Sequence, residues 1–263
     1  MRYPNEKILP TKVFIFHICL DIVTYIRTLI EKASFLNHMN QQIQAQTEHI
    51  IRFGAMAVIR HHESVPILPI ADALLMGGIR TLEVTLTTPN ALSMIEQLSQ
   101  SYGTKMLIGA GSVINPKQVQ DVASAGGSFI VSPITKKEII DAGHALDCAV
   151  LPGAFTPTEV QTAHEWGADM VKIFPAQQLG IGYLKALLAP LPHLKCLPTG
   201  GVTPDNAGAW IHAGAQALGI GSALIDPESI RNHHYSMLTD RATILSKNIT
   251  EARQILRENQ TIE

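Results

Sequence analysis

The chain has 263 residues, 46% of them hydrophobic and 16% charged, with a formal net charge of −2. That length suits one large domain or two small ones, and the near-neutral balance, with no basic stripe or charge block, excludes a nucleic-acid or membrane surface. Cys19, Cys148 and Cys196 are odd in number and lack metal-ligand spacing, which points to a reduced cytoplasmic protein without structural disulfides.

The first segment differs from the rest of the chain. "KVFIFHICLDIV" (12–23) is apolar but too short for a membrane span, which takes about 20 residues, and no small-residue cleavage site comes after it. "MNQQIQAQTEHIIRFGAMAVIR" then opens at Met39 like a natural beginning. Residues 1–38 are therefore expected to be an extension, of the kind a misassigned start would add, and residues 39–263 a single domain with a short polar C-terminal tail.

From Gly54 onward short apolar strands alternate with amphipathic helical stretches. The strands are "AMAVIR" (55–60), "IRTLEVTL" (79–86), "KMLIGA" (105–110) and "SFIVSP" (128–133). They continue with "CAVLPG" (148–153), "DMVKIF" (169–174), "KCLPTG" (195–200) and "ALGIGS" (217–222). The intervening stretches end in "GG", "AGG", "WGA" or "AGA", which are helix stops. Successive strands begin roughly 20 to 26 residues apart, the length of one β/α unit. Eight such units predict an α/β fold, a (β/α)8 TIM barrel. A doubly wound open sheet is the runner-up, but no GxGxxG follows the first strand. A last helix is expected after Pro227, with Ile244, Leu245, Ile249, Ala252 and Ile255–Leu256 at helical spacing.

Barrel active sites gather at the C-terminal strand ends. In "TLEVTL", Thr81, Glu83 and Thr85 share one face and Leu82, Val84 and Leu86 the other. With the apolar face against the helices, Glu83 points into the barrel, and the same alternation sends Lys172 inward with Met170 and Phe174. A buried lysine needs a reason. A structural salt bridge is one, although such pairs are seldom strongly stabilising. Chemistry is the other. Burial disfavours the ammonium form, a neutral amine attacks ketones to form a Schiff base, and Glu83 supplies the proton shuttle. Arg60, at the end of strand one, and the Ser112 hydroxyl suit a substrate carboxylate. "TGGVTPDN" and "GIGSAL", following strands seven and eight, suit a phosphate, because glycines let backbone N–H groups approach it closely. A keto acid with a distal phosphate, cleaved through a lysine Schiff base, fits every part.

"GGIRTLEVTLTTPNA", "IGAGSVINPKQV", "FIVSP", "LPGAFTPTE", "VKIFPA", "LPTGGVTPDN" and "GIGSAL", in that order over residues 48–225, resemble the 2-keto-3-deoxy-6-phosphogluconate (KDPG) and 4-hydroxy-2-oxoglutarate (KHG) aldolase family. The resemblance implies a class I, metal-independent, cofactor-free and generally homotrimeric aldolase acting on a small keto-deoxy sugar-acid phosphate. It implies Lys172 as the Schiff-base lysine and Glu83 as its acid/base. It places Phe174 and Pro133 at the pyruvate end, and Thr199, Gly200, Gly201, Gly221 and Ser222 at the distal, phosphate end.

Two positions depart from the family pattern. Thr87 stands where many members carry an arginine in "TLRT", leaving the carboxylate to Arg60. Ser112 replaces a threonine and keeps the hydroxyl. Alternatives are the same chemistry on phosphogalactonate or unphosphorylated 4-hydroxy-2-oxoglutarate, a metal-dependent aldolase using His61 or His62, and a non-catalytic sugar-phosphate-binding barrel.

Overall fold

The computed structural model describes residues 41–262, with side chains to residue 259; the expectations for residues 1–38, and Cys19, lie outside the described residues. Helix α1 (residues 41–53) leads into β1 (Ala55–Ile59). The β/α units follow as α2 (Ile67–Met76), β2 (Thr81–Thr85), α3 (Ala91–Tyr102), β3 (Leu107–Gly111), α4 (Pro116–Ser124) and β4 (Phe129–Val131). Next come α5 (Lys137–His144), β5 (Ala149–Leu151), β6 (Gly153–Ala154), α6 (Pro157–Glu165), β7 (Val171–Ile173) and α7 (Ala176–Leu188). The chain continues through β8 (Cys196–Pro198), α8 (Ala207–His212), β9 (Leu218–Ile220), α9 (Pro227–Arg231) and α10 (Tyr235–Ile262).

Local chemistry fixes several of these boundaries. α4 and α6 both begin with a cap followed by proline, Asn115-Pro116 and Thr156-Pro157; the cap oxygens accept from Gln118 N–H and Glu159 N–H. The Glu159 side chain accepts in turn from the Thr156 backbone, completing a capping box. The glycine helix stops behave as expected: Gly78, Gly126, Gly167 and Gly214 all take positive φ.

All strand pairings are parallel. One sheet runs β5-β4-β3-β2-β1-β9 and another β6-β7-β8. Only Pro152 separates β5 from β6. It lacks an N–H, so the ladder breaks there, yet its carbonyl still accepts from Lys172 N–H at 2.9 Å. On the other side a Thr199–Gly219 bridge joins the end of β8 to β9. The fold is a (β/α)8 barrel whose fifth strand is the β5–β6 pair, where the sequence suggested one unbroken strand.

Side-chain alternation sorts the core into two layers. Leu82, Val84, Val171 and Ile173 face outward into the layer between strands and helices. Met56, Phe129, Val131, Leu151, Met170 and Leu197 fill the barrel interior, joined there by Ile43 and Ile50 of α1. α1 therefore closes the N-terminal end of the barrel. Gln46 fixes it by donating to Asp147 C=O and accepting from Ala149 N–H, both at 2.8 Å. α10 packs against α2 and α8 through Leu238, Ala242, Leu245, Ile249 and Ala252; Ile244 and Ile255, taken from spacing as part of the same face, are exposed. Among the described residues, no helix is long and apolar enough to cross a membrane.

Candidate active site

Lys172 is the central residue of β7, flanked in register by Gly153 and Leu197. Glu83 is central in β2, between Val58 and Gly109. The two strands are on different sides of the barrel, and both side chains point to its axis. Lys172 Nζ lies 3.9 Å from Glu83 Oε1, with the side chains 3% and 1% exposed. The lysine tip also sits over the Phe174 ring, 5.0 Å from its centroid.

This pair differs from a satisfied structural salt bridge. At 3.9 Å no hydrogen bond joins the two groups, and Glu83 Oε1 is buried with no hydrogen-bond partner at all. A buried polar atom left in this state costs about 1–3 kcal/mol, which ligand or water contact relieves. Thr199 Oγ1 is a second such orphan, and Thr199 lines the same cavity as Lys172.

That cavity, about 510 Å³, opens at the C-terminal ends of the strands. Lys172, Phe174 and Arg60 line one part of it; Thr199, Gly200, Gly201, Gly221 and Ser222 line another. Arg60 follows β1, is exposed, and donates from Nη2 to Ser112 Oγ at 3.4 Å. Gly200 and Gly201 take positive φ, and Asn206 staples the loop after them by donating to Gly201 C=O and accepting from Thr203 N–H, each at 2.9 Å. A charged end, the Lys172 amine and a glycine-rich end therefore share one cavity, while Glu83 and Ser112 are outside its lining and meet it through Lys172 and Arg60. Pro133 stands apart from it, lining an adjoining groove of about 310 Å³ that shares the Phe174 wall.

Sequence reasoning missed two inward glycines and a glutamine. A β-carbon on Gly111 would overlap the Glu83 carboxylate, and one on Gly219 would overlap Thr199 Oγ1. Gln177, at the start of α7, lines the cavity and packs its side chain over Gly200 and Gly201. Strand alternation carried a signal for Gly111, which lies on the inward side two residues beyond Gly109, the register partner of Glu83. The remaining candidates fall elsewhere. His61 Nδ1 is engaged with the Glu63 backbone, and among the described residues no group of three His, Cys, Asp or Glu is placed to hold a metal ion. Cys148 and Cys196 are free and buried, and burial pushes both thiols up to about 12.

A family model for KDPG and KHG aldolases matches residues 47–240. The 2-dehydro-3-deoxy-6-phosphogalactonate aldolase of Escherichia coli is 38% identical over 170 residues, which is 64% of this chain and 83% of that protein. The 2-dehydro-3-deoxy-phosphogluconate aldolase of Pseudomonas aeruginosa is 33% identical over 195 residues, 73% of this chain and 88% of that one. Among solved structures, a Legionella pneumophila KDPG aldolase with pyruvate captured as a covalent carbinolamine superposes with a TM-score of 0.67 at 34% identity, covering 73% of this chain and 93% of its own. With the barrel and its enclosed lysine–glutamate centre, these likenesses establish that the chain belongs to the KDPG and KHG aldolase family.

Proposed function

We propose that the protein is a class I aldolase that cleaves 2-dehydro-3-deoxy-6-phosphogluconate to pyruvate and glyceraldehyde 3-phosphate, with Lys172 as the Schiff-base residue. The observation that carries this reading is the enclosed contact of Lys172 with a carboxylate oxygen that has no hydrogen-bond partner. A static ion pair would satisfy that oxygen; a proton carrier must be free to meet substrate.

The Lys172 amine adds to the C2 ketone, and Glu83 moves the protons that let the carbinol oxygen leave as water. The iminium then draws the C3–C4 bonding electrons toward nitrogen. Glu83 takes the C4 hydroxyl proton as that bond breaks, the aldehyde departs, and an enamine remains on Lys172. Protonation at C3 and hydrolysis give pyruvate and the free amine. Arg60, with Ser112 beside it, binds the C1 carboxylate. Phe174 packs against the pyruvyl carbons, with Pro133 behind it. Thr199 meets a substrate hydroxyl, and the Gly200–Gly201 and Gly221–Ser222 backbones receive the phosphate.

Borohydride reduction in the presence of pyruvate tests the assignment: Lys172 becomes irreversibly modified and activity is lost. Modification that persists in Lys172→Ala rejects it.

The 38% identity to the E. coli phosphogalactonate enzyme favours the C4 epimer as a second substrate. The ratio of kcat/KM for the two epimers decides between them. The family resemblance also supports a cytoplasmic homotrimer, for which sedimentation equilibrium is the direct measurement of assembly.

A further inference from the structure

Arg60 lies one residue beyond the end of β1, where the ladder no longer fixes the backbone. Its side chain is exposed, and its hydrogen bond to Ser112 is long, at 3.4 Å. Something else must set the position from which this arginine reaches the cavity. The groups that do so come from the turn after β2.

Thr88 is 2% exposed. Its Oγ1 accepts from His61 N–H at 3.2 Å and lies 3.5 Å from Ile59 C=O. These two backbone groups belong to the residues on either side of Arg60, so one hydroxyl brackets the peptide units that carry it. Thr88 Oγ1 is in turn 3.1 Å from Thr85 Oγ1, which is 3.0 Å from Thr87 Oγ1. A hydroxyl has one proton and two lone pairs. A single direction, Thr87 to Thr85 to Thr88 to Ile59 C=O, therefore uses every proton once and leaves Thr88 free to accept from His61. The Thr88 N–H donates to Thr85 C=O at 2.9 Å, which closes the turn and holds the row in place. Thr85 shares the inward face of β2 with Glu83, so the row links the strand of the proton carrier to the backbone of the arginine.

We infer that Thr88 is a positioning residue that orients Arg60 toward the substrate carboxylate. This rests on the carboxylate-binding reading of Arg60 and deepens it. Thr87 belongs to the same hydroxyl row through its contact with Thr85.

The experiment measures KM and kcat for the phosphorylated keto-deoxy acid in Thr88→Val, Thr88→Ser, Arg60→Ala and the Arg60→Ala/Thr88→Val double variant. Valine keeps the shape of threonine and removes the hydroxyl. KM is expected to rise about fivefold in Thr88→Val with little change in kcat, as for the loss of one neutral hydrogen bond. Serine restores it, and in the Arg60→Ala background the valine substitution has no further effect. An unchanged KM in Thr88→Val overturns the inference. So does a rise of equal size in the Arg60→Ala background, which would make Thr88 independent of the arginine. Thr88→Ala provides the same comparison if valine prevents folding. Arg60→Ala alone tests the reading underneath: an unchanged KM there removes the carboxylate role of Arg60, and the inference with it. A raised KM there beside an inert Thr88→Val overturns the inference alone.

Discussion

The carboxylate of Glu83 occupies the volume in which a β-carbon of Gly111 would sit. β2 and β3 are neighbours, with Thr85 and Gly111 in register, and the Glu83 side chain leans across the strand end toward the mouth of the barrel. Glycine at this position is therefore part of the catalytic geometry. Gly111→Ala is expected to displace the carboxylate from Lys172 and lower kcat about tenfold or more, since small displacements of a catalytic group are costly. Lys172 stays in place, so pyruvate–borohydride labelling persists. A Gly111→Ala enzyme with undiminished kcat would show that Glu83 does not need its present position.

Glu83→Gln keeps the shape and removes the proton-carrying function. The loss expected for a positioned general acid/base is about 10²- to 10⁴-fold in kcat. Pyruvate affinity, set by Arg60 and the Lys172 amine, changes much less. Single-turnover rates and the pyruvate concentration giving half-maximal borohydride inactivation separate the two effects. Equal losses in both would make Glu83 a positioning group.

The barrel was legible because its signals are local and repeated: a glycine stop after α2, α4, α6 and α8, and strands whose alternation sends Lys172 and Glu83 inward. Features created by tertiary closure were less visible. α1 is polar in sequence, yet Gln46 and Thr47 are 6% and 4% exposed because the helix seals the barrel end. Ile244 and Ile255 have helical spacing, but the face of α10 that meets α2 and α8 runs through Leu238, Ala242 and Leu245 instead. Gly111 and Gly219 invite a turn interpretation, because their role is to leave room for side chains on neighbouring strands. The Thr85–Thr87–Thr88 row depends on the path of β1, which nothing in the "TLTT" motif reveals.

The glycine-rich end of the cavity offers a test that distinguishes phosphate recognition from general damage. Gly201 has φ of 71°, and a β-carbon there would press on Gln177. Gly201→Ala strains the backbone and tilts the loop. KM is expected to rise for the phosphorylated keto-deoxy acid, while kcat/KM for unphosphorylated 4-hydroxy-2-oxoglutarate stays within about twofold, because only the phosphate contacts are lost. A parallel loss on both substrates would argue that the loop supports the lysine–glutamate centre instead.

Asp226 provides a stability prediction away from the chemistry. It caps α9 by accepting from Ser229 N–H at 2.9 Å and pairs with Arg241 of α10, tying the segment after β9 to the last helix. Burial acts to raise its pKa, but the Ser229 hydrogen bonds and the Arg241 guanidinium outweigh it and hold the carboxyl at about 2, below its ordinary 3.8. A carboxyl depressed on folding contributes stability that is complete above its unfolded value and disappears as pH falls through its folded one. Asp226→Asn retains a capping oxygen and removes the charge. At neutral pH the variant is expected to lose about 1 kcal/mol, a fall in Tm of about 2–4 °C. Between about pH 4 and pH 2 the wild-type advantage narrows, because protonation of Asp226 takes away what the asparagine variant already lacks. Paired thermal melts across that range provide the check, and a gap in Tm that stays constant down to pH 2 would assign the loss to the cap geometry and not to the charge.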